Sequence, residues 1–313
     1  MTSRRSFLAG ALALASAPLG AQDKPAARVV RIGMLETVPI QANNTNLAEL
    51  HRGLKELGYA EGANYAILYR SSEGHAERFP GLAADLAKQK VDVYLTRGTP
   101  ATLAARDTES GIPVVASAIA DSIDGVTGMT SQVTELSAKR MEFLKALAPG
   151  VKRVGALINP DNPASLANWK MIEGAAPGMN LKPDMIDVRR PDGLGAALDA
   201  ALKNGVDGLI FGIETFTNQA MIIDFTAKNR LPAVYAARNL VESGGLLSYG
   251  VLYSNLYYRS ASYIDKVLKG AKPADLPIEK AAKFELVMNR KTAHALKIAI
   301  PPDLLLRSDE IID

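Results

Sequence analysis

Val29-Val30-Arg31-Ile32-Gly33-Met34-Leu35 opens a pattern that recurs through most of the chain. A short apolar run without polar alternation fits a strand buried on both faces, as strands of a parallel sheet are. Working outward, Leu47, Leu50, Leu54 and Leu57 stand at helical spacing, and Gly58 stands where a terminating glycine would. Ala66-Ile67-Leu68-Tyr69 reads as the second strand, and Phe79, Leu82, Ala83 and Leu86 as the next helix. Val91-Asp92-Val93-Tyr94-Leu95 is the third strand, a helix begins at Pro100, and Ile112-Pro113-Val114-Val115 is the fourth strand. Strand and helix in alternation imply a parallel sheet with helices on both faces.

The alternation then restarts. Leu136, Met141, Leu144 and Leu147 mark a helix that ends at Pro149-Gly150, and Val154-Gly155-Ala156-Leu157-Ile158 is again a buried strand. A helix over 166–172, a strand over 185–188 and a helix over 194–202 follow. Gly208-Leu209-Ile210-Phe211 and Pro232-Ala233-Val234-Tyr235 are further strands. Two such series in tandem predict an α/β chain of two Rossmann-like lobes, each built on a parallel sheet. The join is expected in the Gly-, Thr- and Ser-rich stretch 125–133.

The 313 residues are 48% hydrophobic and 22% charged, which suits one large domain or two middling ones. There is no Cys, so disulfides, thiolate metal sites, a cysteine nucleophile and a lipid-anchored cysteine are all excluded. A net charge of +3 with scattered basic residues gives no sign of a nucleic-acid partner. Residues 1–21 read as an export signal: Arg4-Arg5 precede Ser6-Phe7-Leu8, and an apolar stretch over 9–17 follows. That stretch is shorter than the ~20 residues a membrane-spanning helix needs. Leu19-Gly20-Ala21 is the preferred cleavage point, so the mature chain would begin near Gln22. The arginine pair fits a twin-arginine signal, with an ordinary secretory signal as the alternative. Either way the product is expected to be periplasmic, soluble and without a lipid anchor.

Most enzyme signatures are missing. Gly33 stands alone where a dinucleotide site needs Gly-x-Gly-x-x-Gly. No phosphate-binding loop, His-Glu-x-x-His or Gly-x-Ser-x-Gly motif occurs. His51, His75 and His294 lie far apart and read as surface or capping residues. The expectation is therefore no enzyme, no cofactor and no metal.

Ligands in open α/β sheets sit beyond the carboxyl ends of the strands. Residues there are Glu36 and Thr37 after the first strand and Arg97, Gly98, Thr99 and Pro100 after the third. Asp121 follows the fourth. The second series offers Asn159, Asn162 and Ser165, then Glu214 and Thr215, and later Tyr249. Thr99 as N-cap with Pro100 at the first helical position would turn free N–H groups toward the cleft, which suits a carboxylate; a plain helix cap is the alternative. Glu214 could neutralise a ligand ammonium or be a solvated loop acid. Asn159 and Asn162 flank prolines and read equally as turn and cap residues. Trp169 reads as helix packing.

Several stretches are familiar together. They include Leu57-Gly58-Tyr59, Gly98-Thr99-Pro100-Ala101, Asn159-Pro160-x-Asn162-Pro163 and Gly244-Gly245-Leu246-x-Ser248-Tyr249-Gly250. The tail adds Leu268-Lys269-Gly270-Ala271-Lys272-Pro273-Ala274-Asp275-Leu276-Pro277 and Lys283-Phe284-Glu285-Leu286-Val287-Met288-Asn289. The chain resembles the ABC-transporter solute-binding proteins of the type I periplasmic-binding-protein fold, the group with tryptophan- and phenylalanine-binding members. The resemblance implies two lobes joined by a three-segment hinge that close on a small solute. It implies an N-terminal lobe of 28–129 plus about 252–281, and a C-terminal lobe of 130–251 plus about 282–313. The implied partners are a small-molecule ligand, first an apolar or aromatic amino acid or related carboxylate, and an ABC permease in the membrane. A monomer is expected; a periplasmic sensor of the same fold is the alternative. The sequence departs from the family pattern at Ala120-Asp121-Ser122-Ile123, where many members have Gly-Asp-Pro-Val. It departs again at Glu214, where tryptophan-binding relatives have an Asp-Asn pair.

Overall fold

Residues 28–132, 135–212 and 218–313 are described in a computed structural model of the chain. The first sheet takes β1 (Val30–Glu36), β2 (Tyr65–Ser71), β3 (Val93–Arg97), β4 (Val114–Ile119) and β5 (Val126–Thr130). The second takes β6 (Arg153–Ile158), β7 (Lys182–Asp187), β8 (Gly208–Ile210), β9 (Ala233–Tyr235) and β10 (Leu247–Val251). The chain then returns to the first sheet with β11 (Ile278–Lys280), and ends in the second with β12 (Phe284–Asn289) and β13 (Glu310–Ile312).

The strand orders are β11-β5-β4-β3-β1-β2 and β13-β12-β10-β9-β8-β6-β7. Every neighbouring pair is parallel except β10 with β12. In each sheet the order reverses beside its founding strand, between β1 and β3 and between β6 and β8. Such reversals open a crevice at the carboxyl ends of the strands.

Side-chain alternation explains the layers. Ile32 and Met34 of β1 pack with Leu50 and Leu54 of the helix Asn44–Glu56 and with Leu256 and Ile264 of the helix Tyr253–Leu268. Leu35 faces the other way, toward Phe79, Leu86 and Ala101 of the helices Phe79–Lys88 and Thr99–Arg106. The second sheet is covered likewise: Met141, Leu144 and Ile172 pack on one face, and Leu194, Leu198 and Ile222 on the other. Trp169 packs at the margin of the first of these two cores.

The chain leaves the first sheet after β5, returns after β10 through Leu252, and crosses back after β11 over residues 281–283. The stretch read as a linker over 125–133 is mostly strand: β5 is buried throughout and lies between β4 and β11. The first crossing therefore begins only at Ser131. Thr, Gly and Met made β5 look like a loop, yet Gly128 sits so close to the Ala116 backbone that a Cβ there would collide with it.

Candidate ligand-binding site

The site begins where β3 ends. The β3–β4 register shifts between Thr96 and Arg97, and Gly98 follows at φ +86°, a conformation only glycine adopts without strain. Gly98, not Thr99, therefore caps the helix Thr99–Arg106, and Thr99 is its first residue. The cap reading of Thr99 is corrected by one position, because a threonine cannot take the Gly98 backbone geometry cheaply. The Gly98 carbonyl accepts the Thr102 N–H at 3.1 Å and the Thr102 hydroxyl at 2.9 Å. The Thr99 hydroxyl oxygen is buried and has no protein partner. The N–H groups of Thr99 and Ala101 belong to the first turn, which no carbonyl of the helix can satisfy.

Two chambers lie between the two sheets, the first of them around this helix start. The first, of about 80 Å³, is lined from one side by Thr37, Ser72, Gly98, Thr99 and Ser131, and from the other by Asn159, Asn162 and Arg189. Ser72 is completely buried, and its hydroxyl, like that of Thr99, has no partner. The second chamber, of about 440 Å³, is lined by apolar groups including Val38, Phe211, Ile222 and Leu240, and by Arg238, Glu242 and Glu285. Arg238 pairs with Glu242 at 2.8 Å and Glu285 at 3.1 Å. Arg97 and Tyr253 line both chambers.

Arg97 is held from the protein side. Its guanidinium lies 4.4 Å from the Tyr253 ring centroid, and one of its nitrogens is 3.9 Å from Glu36. Burial opposes its charge, but Tyr257, Glu36 and Tyr253 outweigh this and keep its pKa raised. Glu36 is fully buried and accepts a hydrogen bond from Tyr257. Burial pushes the Glu36 carboxyl above its ordinary 4.5, against the pull of Arg97 and of hydrogen bonds from Tyr257 and Asn43. Tyr257 is raised well above its ordinary value, by burial first and then by Glu36.

The residues expected at the strand ends divide clearly. Thr37, Gly98, Thr99, Asn159 and Asn162 line the first chamber. Glu36, Asp121, Ser165 and Tyr249 line neither. Glu36 turns inward to Tyr257. Asp121 is exposed. Ser165 is buried, where its hydroxyl accepts the Asn159 N–H at 2.9 Å. Tyr249 packs against Phe143 and Phe284 at the boundary of the two cores. Its carbonyl accepts from the fully buried Arg140, whose pKa burial pushes down to about 10. Glu214 and Thr215 lie outside the described residues. Asn162 also caps the helix Pro163–Ala175 by accepting the Ala164 N–H at 3.1 Å.

Sequence reasoning missed Ser72, Arg189 and Tyr253 and gave Arg97 no role. Arg97 was legible as a strand-end residue, but its setting depends on Glu36, Tyr253 and Tyr257 from distant segments. None of the three histidines lines either chamber. Among the described residues no cluster of His, Asp or Glu could hold a metal ion, and no helix is long and apolar enough to cross a membrane.

A tyrosine-binding protein of Clostridioides difficile (strain R20291) is 22% identical over 275 residues, covering 83% of this chain and 79% of that protein. The crystal structure of an ABC domain in complex with L-Trp from Streptococcus pneumonia superposes with a TM-score of 0.79. It is 24% identical over 90% of this chain and 100% of its own. A conserved domain protein from Vibrio cholerae superposes at 0.80, with 23% identity over 91% of this chain and 100% of that one. These likenesses establish the type I periplasmic-binding-protein fold. Residues 31–312 match the family described as ABC transporter substrate binding protein, and the chain belongs to that family.

Proposed function

We propose that the protein is the periplasmic receptor of an ABC importer and captures a small zwitterion or carboxylate between its lobes. The observation that carries this reading is the pair of buried, unpartnered hydroxyls, Ser72 and Thr99, on one small cavity. Buried polar groups are ordinarily hydrogen-bonded, so an orphaned pair on a cavity marks a place for a polar ligand group. The first turn of the helix Thr99–Arg106 adds N–H donors and the positive end of a dipole, which favour an anion. The ligand's carboxylate occupies this chamber.

The larger, more apolar chamber takes the rest of the ligand, with an apolar or aromatic amino acid as first choice. The tyrosine-binding relative and the L-Trp complex support that choice. Glu214 is the acid assigned to the ammonium group. The N-terminal lobe is 28–129 with about 252–281, and the C-terminal lobe is 130–251 with about 282–313. The receptor works as a monomer, without nucleic acid, and delivers its ligand to a membrane permease.

The test is a thermal-shift screen of the mature protein against amino acids, small carboxylates and neutral sugars. A true ligand at ~100-fold its dissociation constant adds ~2.7 kcal/mol of stability. Stabilisation by one or a few amino acids or carboxylates is expected. Stabilisation by neutral sugars alone would overturn the ligand class. For export, replacing Arg4 and Arg5 by Lys should block a twin-arginine route, and unimpaired export would leave the general secretory one.

A further inference from the structure

We propose that Arg97, which lines both chambers, is the specificity-determining residue of the cleft and selects a ligand with a carboxylate through its guanidinium. The proposal rests on the reading of the cleft as a small-molecule site and adds the residue that decides its charge class.

Two roles are open to a buried arginine at a strand end. In one it only ties β1 to β3 through Glu36; in the other it meets the ligand. Position separates them. Glu36 lines neither chamber, whereas Arg97 lines both. The Arg97 side chain is 13% exposed. At 3.9 Å the contact with Glu36 is an ion pair too long for a hydrogen bond. A guanidinium carries five N–H donors in a planar fork that matches a carboxylate. Glu36 and the Tyr253 ring therefore balance and brace the cation while leaving N–H donors for an anion in the cavity.

The charge pattern of the first chamber agrees. Among the described residues it is lined by two arginines and no Asp or Glu. The other arginine, Arg189, is half exposed and already pairs with Asp161 at 2.6 Å and Asp187 at 3.4 Å. Arg97 is thus the buried cation the chamber presents, beside the free hydroxyls of Ser72 and Thr99. A neutral ligand would leave that cation desolvated when the lobes close, whereas a carboxylate would compensate it.

The test compares acids with their own amides: L-tyrosine, L-tryptophan and the best carboxylate of the screen, each against the corresponding amide, by calorimetric titration. Wild type should prefer the acid by about ten- to a hundredfold. Arg97→Met should abolish that preference, and Arg97→Lys, which keeps the charge but loses the fork, should weaken acid binding about tenfold with the amide unchanged. If Arg97→Met does not fold, the Arg97→Lys comparison decides alone. An unchanged acid affinity in Arg97→Lys, or an acid preference that survives in Arg97→Met, would overturn the role of Arg97 while leaving the receptor reading intact. Equal binding of acid and amide by wild type would also overturn it. Binding by wild type to no small molecule in the whole screen would instead bring down the receptor reading itself.

Discussion

The Tyr257 hydroxyl donates a hydrogen bond to the buried Glu36 carboxylate, and so joins the end of the first strand to the helix that follows the second crossing. That bond sits directly behind Arg97. Tyr257→Phe removes the donor but keeps the ring, so it opens no cavity. It should cost about 1–3 kcal/mol in urea unfolding, the usual range for depriving a buried polar group of its partner. Equal midpoints for the variant and wild type would count against a structural role for the bond.

Thr99 should behave in the opposite way. Its hydroxyl bonds nothing in the protein, and Gly98 holds the cap position. Thr99→Val keeps the shape and should leave unliganded stability within about 0.5 kcal/mol, while ligand affinity falls about tenfold. Titration and urea melts read the two effects separately. A large loss of stability would mean that the hydroxyl serves the fold.

Glu36 should leave a mark on the pH dependence of stability. Burial raises its folded pKa above 4.5, so the folded state holds this proton more readily than the unfolded state. The stability it contributes is complete below the unfolded pKa and is lost as the pH rises through the folded value. Relative to Glu36→Gln, wild type should therefore lose stability as the pH climbs above about 4.5. Urea melts of both proteins across this range check it, and parallel curves would contradict it.

Gly250 lies in β10, where a Cβ would collide with the Ala236 carbonyl just beyond β9. Gly250→Ala has no flexible side chain to push aside, only backbone. It should destabilise by about 3 kcal/mol or more, which thermal melts would show. A variant as stable as wild type would mean that the two strands part easily.

Three crossings invite a hinge: the one that begins at Ser131, Leu252 and residues 281–283. Small-angle scattering should show a smaller radius of gyration when the best ligand of the screen is saturating. An unchanged radius would mean that the lobes do not close on it.

The layered α/β plan was legible because buried parallel strands and amphipathic helices leave opposite periodicities. Ile32 with Met34, and Leu50 with Leu54, are placed correctly by spacing alone. β5 was not legible, since Val126-Thr127-Gly128-Met129-Thr130 has the composition of a loop and becomes a strand only between β4 and β11. β12 and β13 were missed for a related reason: they complete a sheet founded more than a hundred residues earlier. At the site, the strand-end rule led to Thr37, Thr99 and Asn159, whose positions follow from local chain direction. It could not tell that Glu36 turns inward, because that depends on Tyr257. Gly98 rather than Thr99 caps the helix because of a positive φ, which residue type permits but does not announce.

The placement of the final strands bears on how the molecule comes into being. β11 forms one edge of the first sheet, while β12 and β13 finish the second. A chain synthesised only as far as Pro277 would lack strands in both halves at once, leaving unpaired backbone along two open edges. A chain cut before β11 thus completes neither sheet, whereas one cut after β11 still completes the first. The tail therefore ties the completion of both sheets to the last stretch of chain to be made.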